Sequence, residues 1–470
     1  MTDSMMGIRN EIYNDTIDEV LKIRDSVRGE HAIKNSPNSL IYLPHPSDID
    51  KTSAQSKERY MAYKARAEFD GFTGATLTSL NGAMWSTEPT IELPGEIEYL
   101  IDNSDGDGTP LAQSMALTAS NVIQVGYHFL LADYNGTQAN IKHYPRESVI
   151  DWDFDEVNGV NQINFVKLAE SFSHVDKETL QRKTETRILI LGLDDEGNYY
   201  QQKIEEHDGM EVKGEKLYPI WRGQMMKSIP CEIVTDEIAQ AGQMPCTFGV
   251  LYPVALKAIA RYQVNADLKE MIHRNAQPTL ITEGWDAGDG KVIKEINGGK
   301  ELKLGSNGGI NLPKNVKAKY LEAKSADSPL FTYLDINQKE VKAFGGSFDT
   351  SEATTEAVGV AKIRSAEQLR VLTNIANALE VAYRNLAGIC YGFMSTKSTT
   401  PDFTIVLNKE FNTSKLEPTE RAAIINEYNM GIISLEEAHR QLKAGGVLEA
   451  EIEVIMQEIE MGRGTIDQFD

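Results

Sequence analysis

The residues whose types and spacing could bind a metal ion lie in two short acidic segments. Asn103-Ser-Asp-Gly-Asp-Gly108 places oxygen donors as a calcium-binding loop does, but its twelfth position is Ser114, where a bidentate glutamate is required. We expect a turn there instead, in which Asp107 or Thr109 caps the helix that follows. The second segment, Asp194-Asp-Glu196, is typical of a hairpin turn with solvated carboxylates. Neither segment therefore predicts a metal site.

The chain lacks the spacing motifs of common catalytic sites. Its eight histidines include no pair at i and i+4, and its three cysteines include no Cys-x-x-Cys, so zinc is not expected. Neither a Gly-x-x-x-x-Gly-Lys-[Ser/Thr] loop nor a Gly-x-Ser-x-Gly elbow is present. His45 and His143 lie beside prolines and are expected in turns. We predict no catalytic residue, no metal, no cofactor and no enzymatic activity.

Two further segments carry residues that could contact phosphate or an acidic partner. Residues 344–355 are rich in small and hydroxylated residues, but Gly345-Gly346-Ser347 has no lysine after it, so a phosphate-cradling role is not favoured. From Lys291 to Lys324 there are eight lysines and three glutamates, with neither arginine nor aspartate. These lysines would act as point charges towards phosphate or an acidic protein, or would only keep the surface solvated.

The polar loop at residues 344–355 precedes a long predicted helix, from about Thr354 to Phe393. At ~1.5 Å per residue, ~40 residues span roughly 60 Å. One apolar row follows heptad spacing: Leu369, Leu372, Ala376, Leu379, Tyr383, Leu386, Cys390 and Phe393. A second row lies beside it: Val371, Ile375, Ala378, Ala382 and Ile389. Two rows predict a helix that is buried on more than one side.

Elsewhere the pattern predicts an α+β protein. Residues 142–235 are rich in alternating apolar and β-branched residues, with a hairpin turn at residues 194–198. Two short strands are expected among the glycine turns of residues 278–325. Helices are predicted at about residues 12–27, 56–84, 95–103, 109–127, 253–274, 329–343 and 418–470.

Composition sets further bounds on the function. With 70 Asp and Glu against 47 Lys and Arg, the 470-residue chain has a net charge of −23. A monomeric nucleic-acid binder usually has the opposite sign. The sparse cysteines argue for a reducing compartment. No secretory signal and no apolar run long enough to span a membrane is expected.

The chain resembles the portal proteins of tailed bacteriophages, the head-to-tail connectors, and within them a phage family first catalogued as a domain of unknown function. Residues 12–94 carry the most specific part of this resemblance, and it extends in order over nearly the whole chain. The matching segments are Ile12-Tyr13, Ile41–Pro44, Tyr60–Phe69, Leu80–Trp85, Glu88–Pro94, Gly126-Tyr127, Ala132-Asp133 and Pro253–Arg274, then Pro278–Leu280 and Gly284. The chain departs at Met84-Trp85, where a pair containing phenylalanine is expected.

The resemblance implies a portal-type fold with a defined order of parts. These are a mixed α/β wing over residues 1–250, a first stem helix over 251–277, a small α/β clip over 278–325, a second stem helix over 326–343, a tunnel loop over 344–356, a long wing-spanning helix over 357–394, a wing return strand over 395–416, and a helical crown over 417–470. Portal subunits form rings, usually of 12.

The resemblance also implies site residues and partners. The channel-lining residues would be Gly345, Gly346, Ser347, Phe348, Asp349, Thr350, Ser351, Thr354 and Thr355. The clip residues that bind a partner would be Trp285, Lys291, Lys294, Lys300 and Lys303. The implied partners are other copies of the chain, double-stranded DNA in transit, the large terminase that drives packaging, a tail adaptor and the major capsid protein. The implied location is the portal vertex of the virion, after assembly in the host bacterial cytoplasm.

Two alternatives remain open from the residues alone. A metal-dependent nucleic-acid enzyme would use paired carboxylates such as Asp105 and Asp107, although no third ligand has convincing spacing. A coiled-coil scaffold would use the heptad row of the long helix, but it would leave the α/β body without a role.

Overall fold

The computed structural model describes residues 5–46, 53–157, 160–175, 180–207, 210–237, 242–275, 279–283, 317–321, 327–345, 355–397, 399, 401–409, 411, 418–444, 452, 455 and 456. The helices are α1 (Glu11–Arg28), α2 (Glu30–Asn35), α3 (Ser39–Tyr42), α4 (Ala54–Arg66), α5 (Phe72–Met84), α6 (Leu111–Val125), α7 (Tyr252–Asn275), α8 (Asp327–Gly345), α9 (Thr355–Met394), α10 (Pro418–Asn429) and α11 (Leu435–Ala444). Short 3-10 helices span Glu98–Ile101 and Arg146–Ser148.

The strands are β1 (Thr90–Glu92), β2 (Tyr127–Tyr134), β3 (Ala139–Pro145), β4 (Val149–Val157), β5 (Val160–Val175), β6 (Arg182–Leu193), β7 (Tyr199–His207), β8 (Met210–Lys213), β9 (Ile220–Trp221), β10 (Gln224–Met225), β11 (Cys231–Thr235), β12 (Thr279–Glu283), β13 (Lys317–Leu321) and β14 (Thr404–Val406). They form a five-stranded sheet in the order β4-β5-β6-β7-β8 and a three-stranded sheet in the order β11-β2-β3. Antiparallel pairs join β1 to β14, β9 to β10, and β12 to β13. The α+β prediction is confirmed.

The chain divides into two compact units. Unit 1 contains Met1–Val27, Phe72–Ala255 and Ala343–Asp470, and unit 2 contains Arg28–Gly71 and Leu256–Lys342. Residues 28–71 therefore group with the α7–α8 segment, whereas the predicted wing includes them with the rest of residues 1–250. Within the described residues, no helix is both long enough and apolar enough to cross a membrane.

The three-stranded sheet is the middle layer of unit 1, and its alternating side chains enter two cores. Leu130 and Ala132 of β2 face a core that α5, α6 and α9 complete. Phe129 and Leu131, one residue out of phase, face the second core, which includes Val166 and other residues of the five-stranded sheet. Because side chains alternate across a strand, one buried strand serves both cores.

The five-stranded sheet is built from successive hairpins, of which the sequence predicts the one at residues 194–198. Leu193 pairs with Tyr199 across the β6–β7 turn. In that turn the Asp194 carboxylate accepts hydrogen bonds from the backbone N–H groups of Glu196 (3.0 Å) and Asn198 (2.8 Å). The acidic segment at residues 194–196 is therefore a structural turn, which agrees with its sequence interpretation.

Unit 2 has its own apolar core, formed around α7. Ala258, Ile259, Tyr262 and Ala266 of α7 pack against residues of the N-terminal helices and their connections: Ile33, Tyr42, Leu43, Tyr60, Tyr63, Ala67 and Phe69. A spacing of one, three or four residues along α7 places its four side chains on one face.

The structure divides the helix that is predicted over residues 56–84. Helix α4 ends at Arg66, and α5 begins at Phe72 after an extended connection. Within this connection, the Asp70 carboxylate forms a salt bridge with Arg261 of α7. A partner almost 200 positions away is not visible in the local apolar spacing, so the break was not predicted.

Candidate functional site

The predicted channel loop is described only at its two ends. Gly345 is the last residue of α8, and Thr355 is the first residue of α9. Both lie inside helices, although they were predicted to belong to the loop. The remaining predicted loop residues lie outside the described part of the chain: Gly346, Ser347, Phe348, Asp349, Thr350, Ser351 and Thr354. The structure therefore gives the two helices that begin and end the loop.

The predicted clip residues also lie outside the described part of the chain. They are Trp285, Lys291, Lys294, Lys300 and Lys303. The described part of this segment is the β12–β13 pair, whose register runs from Thr279 opposite Leu321 to Glu283 opposite Lys317. Lys319 and Glu283 form a salt bridge across the pair. The two strands confirm the short strands that were predicted at both ends of the segment.

Helices α7 and α8 contact each other inside unit 2 through polar groups. Lys257 donates to the Glu340 carboxylate at 2.6 Å, and this hydrogen bond raises the pKa of Lys257. Arg261 donates from Nη1 to the Leu334 carbonyl at 2.6 Å, and the Asn337 amide donates to the Lys257 carbonyl at 3.3 Å. The two helices that flank the β12–β13 segment are thus paired in a defined register.

Charged groups also bind α7 to the N-terminal part of unit 2. Arg66 forms a salt bridge with Glu270, and Lys269 forms one with Glu68. Tyr63 donates to the Asp267 carboxylate at 2.7 Å; burial and this carboxylate together raise the pKa of Tyr63 well above its usual range. Asp267 and Glu270 lie one turn apart on α7, and Lys269 extends the contacts to a neighbouring face, so together they fix the rotation of the helix about its own axis.

Helix α9 is the central helix of unit 1 over its C-terminal half. Of the heptad row, Leu372, Ala376, Leu379, Tyr383, Leu386 and Cys390 are buried. Ile375 and Ala382 of the second row are buried with them. The helix packs on α5, α6, the three-stranded sheet and β14. Both predicted rows therefore lie inside one subunit, which confirms burial on more than one side.

A buried hydrogen-bonded network joins α9 to α6 and the sheet. The Tyr383 hydroxyl lies 2.8 Å from Ser114 Oγ and 2.9 Å from Thr118 Oγ1. His143 Nε2 is 2.8 Å from the same Ser114 Oγ, and His143 Nδ1 is 3.2 Å from His128 Nε2. Polar groups without water must bind one another, so the network specifies how α9 lies against the sheet.

Burial lowers the pKa of both histidines in this network. The pKa of His143 falls to about 4, chiefly because burial disfavours the imidazolium. The pKa of His128 falls well below its usual range for the same reason, with the charge of His143 adding to the effect. Both rings are therefore neutral at pH 7. His143 lies within β3, and not in the proline turn that was predicted for it.

Further contacts fix the C-terminal half of α9. The Glu380 carboxylate accepts from the Leu407 N–H and from Lys409 Nζ, both at 2.8 Å, which binds the β14 segment to the helix. On the other side, Trp221 Nε1 donates to the Ile389 carbonyl at 3.1 Å. The indole lies so close to Gly392 that a Cβ there would overlap it. A glycine is therefore required where the β9–β10 hairpin meets the helix.

The residues considered for metal binding are bonded within their own loop. The Asn103 side chain accepts from the Gly106 and Gly108 N–H groups, and the Asp105 carboxylate accepts from the Asp107 and Thr109 N–H groups. No side chain caps α6, so the predicted capping by Asp107 or Thr109 is wrong. Among the described residues, no group of three or more His, Cys, Asp or Glu side chains is arranged to hold a metal ion.

Ser114 and His143 have the contact of a nucleophile and its base, but Ser114 is 0% exposed. A substrate cannot reach a fully buried hydroxyl that Tyr383 already contacts. The network was missed in the sequence because its members come from four separate elements. The available signal was Ser114 and Thr118, two small polar residues one turn apart on an apolar helix.

Comparison with known proteins gives one family match. The sequence model of a family described as "Domain of unknown function (DUF4055)" matches residues 251–394. This span contains α7, β12, β13, α8 and α9. The resemblance expected from the sequence included a family first catalogued in this way, but its most specific residues, 12–94, precede the matched span. No curated protein sequence matches the chain.

Chains from solved particles of a gene transfer agent (GTA) are similar in structure. A chain from the neck of an empty GTA particle, computed with C6 symmetry, has 10% identity and a TM-score of 0.41 over 81% of this chain and 92% of that one. A chain from the neck of a native particle, computed with C12 symmetry, has 10% identity and a TM-score of 0.42 over 84% and 94%. A chain from the native virion has 10% identity and a TM-score of 0.41 over 79% and 89%.

Proposed function

We propose that this chain is the subunit of a phage portal, a ring at one capsid vertex that conducts double-stranded DNA during packaging and ejection and connects head to tail. In this proposal the described parts of residues 1–250 contribute to the wing, α7 and α8 are the stem helices, and the β12–β13 segment is the base of the clip. Helix α9 crosses the wing, and α10 and α11 belong to the crown. The protein has no catalytic role of its own.

The observation that carries the proposal is the order of elements over residues 252–394. A helix, a two-stranded pair, a second helix bound to the first, and then a 40-residue helix follow one another. The last helix is fixed in unit 1 by buried residues on several faces, whereas the preceding three elements belong mainly to unit 2. This order is the one that a stem, a clip, a tunnel loop and a wing-spanning helix require.

The acidic charge supports conduction of DNA in preference to binding. Affinity for a duplex grows with each phosphate that a protein neutralises. A subunit with a net charge of −23 gives its ring a field that repels phosphate, so DNA can slide without being held. We propose that residues 345–355 line the channel and contact the backbone of DNA without reading bases.

The remaining partners follow from the same proposal. The clip residues, Trp285 and the lysines at 291, 294, 300 and 303, would bind the large terminase or a tail adaptor through carboxylates on those proteins. The wing would contact the major capsid protein at the portal vertex of the virion. Point charges on lysine suit such docking, because it must be reversible when the packaging motor is replaced by the tail.

Two observations support the portal proposal over the alternative functions. A coiled-coil scaffold needs the heptad row of α9 at its surface, but Leu379, Tyr383 and Leu386 are each 0% exposed within unit 1. A two-metal enzyme needs free carboxylates, but the Asp105 carboxylate already accepts two backbone hydrogen bonds in its own loop.

Electron microscopy of the purified full chain in negative stain tests this function. We expect rings with a central hole about as wide as a DNA duplex. Monomers or filaments at micromolar concentration, together with nuclease activity after addition of Mg²⁺ or Mn²⁺, would contradict the proposal and favour the enzyme.

A further inference from the structure

An exposed stripe without carboxylates runs along α9. Its members recur once per helical turn and occupy the face that is opposite to the buried rows: Arg370, Asn374, Asn377, Val381, Arg384 and Asn385. Four turns separate the first arginine from the second, about 21 Å along the helix axis. We refer to these six residues as the α9 stripe. Its charge is positive on a chain whose net charge is −23.

The two arginines have their donors available. Neither Arg370 nor Arg384 forms a salt bridge or a side-chain hydrogen bond with any other residue that the structure describes. Each guanidinium is exposed and carries five N–H donors, so the stripe can bind acceptors on another molecule. A carboxylate surface or a phosphate backbone would provide them.

Two observations favour a protein over a nucleic acid as the molecule that binds the stripe. Val381 lies midway along the stripe and is 55% exposed, and an aliphatic side chain gains by contact with protein but not with phosphate. At the end of the stripe, Asn385 donates to the Glu232 carboxylate at 3.0 Å. A carboxylate at this end of the stripe would repel phosphate but tolerates a protein contact that is rich in hydrogen bonds.

Unit 1 carries a complementary surface in a different place. Strand β4 is an edge of the five-stranded sheet, and Asp153, Asp155 and Glu156 on it are exposed. None of the three forms a salt bridge with a described residue. Irregular pairing with β5 at Asp153 keeps this edge from adding another strand, so contact there must use side chains.

We propose that the α9 stripe of one copy binds the acidic β4 edge of the next copy. Two different surfaces that meet in this way make a heterologous contact, which is the kind that closes a ring. The inference rests on the proposed ring and identifies the side chains that hold neighbouring subunits together. It also explains why so acidic a chain has no carboxylate among the six residues of this stripe.

Charge reversal tests the contact. Arg370→Glu/Arg384→Glu should raise the chain concentration needed for half-assembly by about tenfold or more, because facing like charges repel. Lys57→Glu/Arg59→Glu, on the exposed face of α4, makes the same change in net charge and should leave assembly unchanged. Arg370→Lys/Arg384→Lys should assemble normally, which shows that the positions tolerate substitution. Sedimentation velocity at fixed salt gives the assembled fraction.

A second pair of substitutions tests the partner surface. Asp153→Arg/Asp155→Arg alone should weaken assembly, whereas the chain with all four reversals should recover most of it. The inference would be overturned if the chain with all four reversals did not recover assembly, or if the arginine reversal assembled normally. In both cases a ring formed by the native chain would still support the portal function. If the arginine reversal forms intact rings but loses binding to a random DNA duplex, the inference is overturned in favour of a phosphate ligand. Absence of rings from the native chain would instead overturn the portal function itself.

Discussion

Gly392 shows how a single residue determines where α9 lies. The β9–β10 hairpin reaches the helix through the Trp221 indole, which donates to the Ile389 carbonyl, and through the Arg222 N–H, which donates to the Gly392 carbonyl at 2.8 Å. Arg222 has φ 50°, an unusual conformation for a residue with a side chain. The contact is therefore close, strained and dependent on the missing Cβ.

Gly392→Ala should lower the free energy of unfolding by about 1–3 kcal/mol, because the new methyl group would overlap the Trp221 ring. Gly388→Ala is the matched control, since the nearest atom to its Cβ would be Phe403 Cζ at 4.0 Å. Alanine there should be neutral or stabilising by about 0.5–1 kcal/mol. Urea denaturation of both variants measures the difference, and equal midpoints would contradict this account of the hairpin.

The buried histidines make stability depend on pH. The unfolded chain binds a proton at the ordinary histidine pKa, whereas folded His143 stays neutral down to its pKa of about 4. The stability from the neutral ring is therefore complete above pH ~6.5 and is lost as the pH falls towards 4, at roughly 1.4 kcal/mol per pH unit.

His143→Gln should make the unfolding free energy fall less steeply between pH 6.5 and 4 than it does in the native chain. Leu117→Ala, an exposed substitution that removes no titratable group, is the control and should keep the native slope. The measurement is a series of urea midpoints across this pH range. Identical slopes for all three chains would show that His143 is not buried in its neutral form.

At the scale of elements, α9 determines the arrangement of unit 1. Its spacing of apolar residues was sufficient to predict a long helix with two buried rows, because helical periodicity is a local property of the sequence. The hairpin at residues 193–199 was predictable for the same reason, from turn residues between alternating strands.

Other features were not predictable because they depend on residues that are far apart in the chain. The connection between α4 and α5 carries Asp70, which is bound to the distant Arg261 by a salt bridge. The burial of His143 follows from Ser114, 29 positions away, and from Tyr383 beyond it. No local pattern encodes such pairs. The candidate site was located only by resemblance, and the structure describes the two helices beside it.

Leu379→Ala tests whether the heptad row belongs to the core of one subunit. Leu379 is 0% exposed, so its truncation should lower the unfolding free energy by about 2–5 kcal/mol. Leu117→Ala, at a position on α6 that is 47% exposed, should change it by no more than about 0.5 kcal/mol. Unfolding of dilute monomer gives both values. A Leu379 variant that unfolds normally but fails to associate would revive the coiled-coil scaffold.

At the scale of the whole molecule, the proposed function assigns one task to each region. Unit 1 fixes α9 and presents the α9 stripe to a neighbouring copy, while α7 and α8 pair within unit 2 and flank the β12–β13 segment. In the proposed ring, the acidic charge would keep DNA from adhering. Helix α9 starts directly after the proposed channel loop, so its fixed position in unit 1 would determine where that loop meets DNA.

Cryo-electron microscopy of the assembled full-length chain tests this central claim most directly. We predict a closed ring whose axial hole is about as wide as a duplex and is narrowest where residues 345–355 of every subunit converge. A ring in which these residues lie on the outer surface, or a particle without an axial hole, would contradict it.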